Sequence, residues 1–268
     1  MSRVGVSAIS TFRLSLPEDL EFWRRHNITT VGVSVAKLDA FGWEKGAELV
    51  LDADLDVADL IGLSPFHLAR PHEWDARREL LVRAVDTAVA VNAERIVFTT
   101  GPFAPLTWDE AADALEAALQ PVLAEARARG VQFAIEHTNS LRVDVGFVHT
   151  LADALDLARR LDTGVCMEVN ACWAERDLAQ TIARNVDRIA LVQVSDFKVG
   201  TIASSQRLVP GDGDIPLARI LGDLIQAGYT GVFELELIGD AIAAEGYDTA
   251  IPRAVRTLEG LLAGATPT

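Results

Sequence analysis

Cysteine is scarce in this sequence: Cys166 and Cys172 are the two thiols in 268 residues. Two thiols cannot staple a disulfide scaffold or complete a zinc knuckle, so a reducing, cytoplasmic setting is the expectation. Positive charge is short as well, with 24 Lys and Arg against 39 Asp and Glu and a formal net charge of −15. A chain this acidic is repelled by phosphate backbones and anionic lipid unless it carries a basic patch. Its basic residues cluster no further than pairs such as Arg24-Arg25 and Arg77-Arg78, which read as solvated helix faces. Nucleic acid and membrane are therefore not expected partners, and a small molecule is. Long apolar runs are missing too: IALVQV at 189–194 has strand length, far short of the roughly 18 residues a membrane helix needs. The opening MSRVGVSAISTF has no basic stretch followed by an apolar one, so no secretory signal is expected. No phosphate-binding loop, glycine fingerprint or nucleophile-elbow serine is found.

What is present is a large apolar fraction, 50% of residues, enough for a full core. Short runs rich in β-branched residues predict strands at 3–9, 29–35, 58–64, 95–100, 132–137, 164–169, 189–195 and 231–237. Their weak alternation suits strands covered on both faces, as in a parallel sheet. Helix punctuation lies between them. Thr107 with Glu110 predicts a capping box ahead of AADALEAALQPVLAEARARG, with Gly130 as the stop. Thr150 starts LADALDLARRL, and Asp214 with Pro216 is expected to open LARILGDLIQA. Strand then helix, eight times over, is the arithmetic of a (β/α)8 barrel. An open doubly wound sheet would place a glycine-rich turn after the first strand, and SAISTFRLSLPED has none. With no linker or low-complexity tract, residues 1–268 are expected to form a single domain.

Barrel active sites lie at the C-terminal ends of the strands. There the sequence places Glu136, Glu168, Gln193 with Asp196, and Glu234 with Glu236. Acids inside apolar runs are costly to bury unless a positive charge neutralises them. Lys198 and Arg207 are the cations nearby in sequence. A divalent metal solves the problem more economically, and all-oxygen ligation favours Mg²⁺ or Mn²⁺ over zinc. Any one of these acids alone would read as an ordinary solvated strand end; four adjacent strand ends together read as a site.

The stretches GVQFAIEH (130–137), TGVCMEV (163–169), ALVQVSDF (190–197), RLVPGDGDIPLARIL (207–221) and GYTGVFELE (228–236) resemble the xylose-isomerase-like barrels of the sugar-phosphate isomerase/epimerase superfamily. The resemblance runs from the first strand to the last helix. It implies one divalent cation, Mn or Mg, held by Glu136, Glu168, Gln193 and Glu236. The usual residues there are Glu, Asp, His and Glu, so Glu168 is a longer acid and Gln193 replaces a histidine. Ala171 stands where a further histidine is common. A neutral amide is a weaker ligand than imidazole, which leaves open a Mg²⁺/Mn²⁺ site, a weak site or an abandoned one. Glu234, two residues before Glu236, faces the same interior one layer deeper, either as a substitute donor or as a buried acid held by an ion pair or hydrogen bonds.

The resemblance further implies a metal-dependent isomerase or epimerase acting on a small polyhydroxylated ketone, with Glu136 and Glu236 exchanging the proton. A dehydratase of the same superfamily, or a non-catalytic barrel with a decayed metal site, are the alternatives. Homo-oligomers are common in the family. Arg207 matches an arginine that contacts substrate oxygens, or is a surface loop residue. His67, Asn170 and Trp173 follow strands and are candidate substrate contacts, against plainer roles as loop residues. His137 turns away from the barrel axis by strand alternation and reads as structural, and Cys166 as a small apolar residue.

Overall fold

Alternating β and α signals become a closed ring in the computed structural model, which describes residues 3–63, 66–203 and 205–265. The strands are β1 (Arg3–Ser7), β2 (Thr30–Ser34), β3 (Asp56–Leu63), β4 (Arg95–Thr99), β5 (Gln132–Glu136), β6 (Gly164–Glu168), β7 (Ile189–Val194) and β8 (Val232–Leu235). They pair in parallel in chain order, and β8 returns to β1. Every predicted strand is found. Most are one or two residues shorter at the C-terminal end, where the chain leaves the ladder to form the βα loops; Ser64, at the end of the third prediction, lies outside the described residues.

Around the ring run α1 (Leu16–His26), α2 (Val35–Phe41), α3 (Trp43–Asp52), α4 (Trp74–Ala90), α5 (Trp108–Ala128), α6 (Leu151–Leu161), α7 (Val169–Cys172), α8 (Leu178–Asn185), α9 (Leu217–Gln226), α10 (Asp240–Glu245) and α11 (Tyr247–Ala265). Outward strand residues such as Phe98, Ile135, Val165 and Phe233 pack with the inward stripes of these helices into one large core. None of the described helices is long and apolar enough to cross a membrane.

The helix signals are realised unevenly. Thr107 and Glu110 close the predicted capping box, the Thr107 N–H donating to Glu110 Oε2 at 2.8 Å. Gly130, at φ +75°, follows the helix end. Thr107→Ala should therefore cost about 1 kcal/mol in urea unfolding; an unchanged midpoint would show that the cap contributes nothing. Asp214 differs from expectation. It does not cap α9, because its carboxylate already accepts from Lys198 Nζ at 2.7 Å and the Val199 N–H at 2.9 Å. Pro216 is the N-cap residue instead, with no side-chain cap bond.

Period-two alternation decides what fills the barrel. Ala134, Cys166, Leu191 and Val232 form a small apolar cluster with Ala58, Ile61 and Val97. Two residues further along the same strand faces come Glu136, Glu168, Gln193 and Glu234. Apolar packing thus gives way to ionisable groups toward the C-terminal end. Cys166 is a buried free thiol among apolar neighbours, as its sequence context implied.

Candidate active site

Glu136 and Glu168 are the last residues of β5 and β6, and Glu236 follows β8 directly, its N–H still donating to Val194 O at 3.2 Å. Closure of the ring brings one carboxylate oxygen from each to within 4.8 Å of the others. The local backbone fixes them. The Glu168 N–H donates to His137 Nε2 at 3.3 Å, and its Oε1 accepts the Asn170 N–H at 2.8 Å. His137 is fully buried, and burial pushes its pKa down to about 3. It serves as a neutral acceptor behind the site, the structural role its strand position implied.

Arg207 reaches the cluster by a different route. After β7 the chain makes an antiparallel bridge between Asp196 and Leu208, and the Arg207 N–H donates to Ile238 O at 2.8 Å. This fold-back carries the guanidinium over the barrel mouth, where Nη1 lies 2.9 Å from Glu168 Oε1 and donates to Ser195 Oγ at 3.3 Å. The turn depends on Asp196, which is not part of the carboxylate cluster. Its carboxylate accepts from the N–H groups of Phe197, Gly211 and Ile215 at 2.8, 2.8 and 3.1 Å. A side chain at Gly213 would bring Cβ within 2.2 Å of Asp196 Oδ1, so the PGDGD run wraps an aspartate that only glycine can approach.

Burial and mutual repulsion set the electrostatics. Burial and then the charge of Glu168 raise Glu136 to about 8, with Arg207 opposing. The same forces, with Glu136 added, raise Glu236 well above the carboxylate range. Arg207, facing all three acids, is held more strongly protonated than usual despite its burial. One guanidinium is not enough: Glu168 Oε2 and Glu236 Oε2 are buried with no hydrogen-bond partner among the described residues. Oxygens bound to one divalent ion at about 2.1–2.4 Å lie within roughly 4.8 Å of each other, so these residues fit such an ion. A hard cation suits an all-oxygen set.

Gln193 sits beside Glu168 and Glu234 in the strand register. Its Nε2 donates to Glu234 Oε2 at 3.3 Å, and its buried Oε1 is without a partner among the described residues, leaving a neutral oxygen available. Glu234 is fully buried beside Asp59. Burial raises Asp59 to about 7 against the opposing hydrogen bond from Glu234, and burial followed by the charge of Asp59 raises Glu234 well above the carboxylate range. A Cβ on Gly32 would come 2.2 Å from Glu234 Oε1 and 2.9 Å from Asp59 Oδ1, so the two acids occupy space that this glycine leaves open. Asp59 carries the same sequence signal as the other acids, an acid inside an apolar run. Its face is hidden in the sequence by an irregularity that pairs Val31 with Val57 but Gly32 with Asp59.

A cavity of about 220 Å³ opens over the cluster, lined by Glu136, Glu168, Glu236 and Arg207 together with Thr138, Asn139 and Arg142. His67, Asn170, Gln193 and Trp173 are not in its wall. His67 Nδ1 is buried without a partner among the described residues, and its carbonyl accepts from Trp74 Nε1 at 3.3 Å. Asn170 is buried behind Glu168, and Trp173 packs against the large core. A wider groove of about 660 Å³ on the barrel flank, lined by Phe41, Trp43, Lys45 and Arg83 among others, holds no converging carboxylates among the described residues.

Solved structures share this architecture closely. Protein SMc04130 from Sinorhizobium meliloti 1021 superposes with a TM-score of 0.84 at 26% identity over 96% of this chain and 98% of its own. An IolI protein solved with a bound zinc atom gives 0.81 at 15% identity over 99% and 100%. An L-ribulose 3-epimerase gives 0.74 at 18% over 99% and 96%. A comparison with curated proteins finds no match. The sequence profile described as "Xylose isomerase-like TIM barrel" matches residues 19–259. Its span, from the first helix into the last, places this chain in the xylose isomerase-like TIM barrel family.

Proposed function

We propose that the protein is a metal-dependent isomerase or epimerase acting on a small polyhydroxylated ketone by carboxylate-mediated proton transfer. The observation that carries this reading is the convergence of Glu136, Glu168 and Glu236 within 4.8 Å, with Glu168 Oε2 and Glu236 Oε2 buried and without a donor among the described residues. Those three, with Gln193 Oε1 as a neutral fourth donor, would hold Mn²⁺ or Mg²⁺. Such an ion supplies a Lewis acid for the negative charge that develops when a carbon-bound proton leaves. Glu136 and Glu236 come from β5 and from the end of β8, three strands apart in a ring of eight. They can therefore address a substrate carbon from different sides, one taking the proton and the other returning it. Glu136, raised to about 8, suits a group that must both hold and release a proton near neutrality, and Glu236 is raised in the same direction. Names of the fold's neighbours, an L-ribulose 3-epimerase among them, agree with this class. Proton abstraction ending in elimination is the runner-up within the same site, and product analysis separates the two.

The Arg207–Glu168 ion pair favours a second reading, a barrel that balances its acids without an ion and has no catalytic role. Elemental analysis of protein dialysed against Mn²⁺, combined with NMR of ketoses incubated in D2O, decides between them. Stoichiometric metal and deuterium at the carbon beside the carbonyl are expected. Absence of both would leave the non-catalytic reading standing.

A further inference from the structure

A second cavity, of about 270 Å³, adjoins the one over the carboxylates. It is lined by Ile9, Phe12 and Arg13 between β1 and α1, Ile238 after β8, Ile242 of α10 and Tyr247 of α11, among others. Ile238 belongs to the walls of both cavities. Ile9 borders them on the other side: a Cβ on Gly62, in the wall over the carboxylates, would come 3.9 Å from Ile9 Cδ1. Two aliphatic side chains therefore stand where the two spaces meet. The polar groups of the second cavity are largely engaged. Asp240 Oδ2 accepts from Gln206 Nε2 at 3.1 Å, the Asp240 N–H donates to Gln206 Oε1 at 2.8 Å, and Tyr247 Oη accepts the Arg13 N–H at 3.4 Å.

A polyol held over the carboxylates has little to bond in this neighbouring space, which suits an apolar group instead. The first cavity, at about 220 Å³, falls short of the roughly 300–1,000 Å³ of small-molecule sites, and the two together reach it. Phe12 is 71% exposed, a whole ring left in water at the second cavity. Leu141, Val143, Val199 and Ile202 are exposed too, on the β5–α6 and β7–α9 loops that supply Asn139, Ser205 and Arg207 to the first cavity. Single exposed apolar residues need no explanation. Here five of the eight large ones among the described residues stand on three βα loops at the same end of the barrel. Phe12 and Tyr247 offer ring faces and Arg13 a guanidinium, the groups that pack on an aromatic ring.

We propose that the second cavity is a subsite for an aromatic substituent, so that the substrate is a polyhydroxylated ketone bearing an aryl group. The proposal rests on the functional reading above for the ketone end alone. Calorimetric titration of the whole protein with Mn²⁺ should compare hydroxyacetone with benzyl hydroxymethyl ketone, which carries a phenyl ring on the same hydroxyketone. The aryl probe should bind about tenfold or more tightly, the gain from burying most of one ring. Ala243 is exposed in the wall of the second cavity. Ala243→Trp should fill the space and erase the preference while leaving hydroxyacetone binding in place, and Phe12→Ser should reduce the preference. Ligand-observed NMR of benzyl alcohol in EDTA keeps the two readings apart, because this probe has no hydroxyketone. Binding by the parent that is lost in Ala243→Trp supports the subsite even in a protein that takes no metal, where the functional reading fails. Equal, measurable binding of the two ketones, a preference unchanged in Ala243→Trp, or no binding of benzyl alcohol by the parent would overturn the proposal. So would a parent dimer that Phe12→Ser dissociates in sedimentation, since the exposed ring would then belong to a contact between two copies of the chain.

Discussion

Glu136→Gln is expected to lower turnover by about 10²–10⁴-fold, the usual contribution of a positioned acid–base group, without disturbing the fold. The amide has the size of the acid and the same strand-end position, but it cannot exchange a proton. It also removes one charge from a crowded set in which Glu168 already raises Glu136. In EDTA, the variant should therefore melt no lower than the parent, because an uncompensated buried acid costs more than an amide. With Mn²⁺ present the order should reverse, since the variant loses an anionic ligand. Steady-state kinetics and thermal melts under both conditions check this. Full activity in the variant would remove the acid–base assignment.

The second large effect concerns pH. Stripped of metal, the protein should lose stability as pH rises from about 6.5 through 8, by roughly 1–2 kcal/mol from Glu136 alone. Glu136 has its folded pKa raised to about 8 from 4.5, and Glu236 and Glu234 are raised well above the ordinary carboxylate range. A raised acid favours the folded state fully below its unfolded pKa, and the benefit is lost as pH climbs through the folded value. These acids interact, so the loss belongs to the set and not to single residues. Two kinds of opposing group act at lower pH. His137, lowered to about 3, makes stability fall only as pH drops below its ordinary 6.5. Asp248 and Glu245, lowered by basic partners, finish titrating at lower pH still. A divalent ion binds the ionised acids, so Mn²⁺ should flatten the slope, and its affinity should rise with pH as protons are released. A melting temperature in EDTA that is flat between pH 6.5 and 8 would contradict the buried, repelling cluster.

Much of the barrel is legible in the residues because it is written in local chemistry. Short β-branched runs, the capping box at Thr107 and the stop at Gly130 each act over a few residues. Eight strands and the helices between them follow, and the right-handed β–α–β rule leaves few ways to arrange them. The acids at strand ends are legible for the same reason, since a carboxylate in an apolar run is anomalous wherever the chain goes. Asp214 shows the limit. It has the residue type and position of a helix cap, yet Lys198 and Val199 claim its carboxylate across the loop.

Closure decided the rest. Which oxygens meet depends on the stagger between strands distant in the chain, and no local pattern encodes that stagger. Ring closure put Glu136, Glu168 and Glu236 together, while Gln193 turned its amide to Glu234. One irregular pairing between β2 and β3 placed Asp59 beside Glu234. The fold-back at Asp196 laid Arg207 on Glu168, and the β5–α6 loop set Arg142 over the cavity. Short-range propensities made the strands and helices; the long-range geometry of a closed sheet chose which charges face each other.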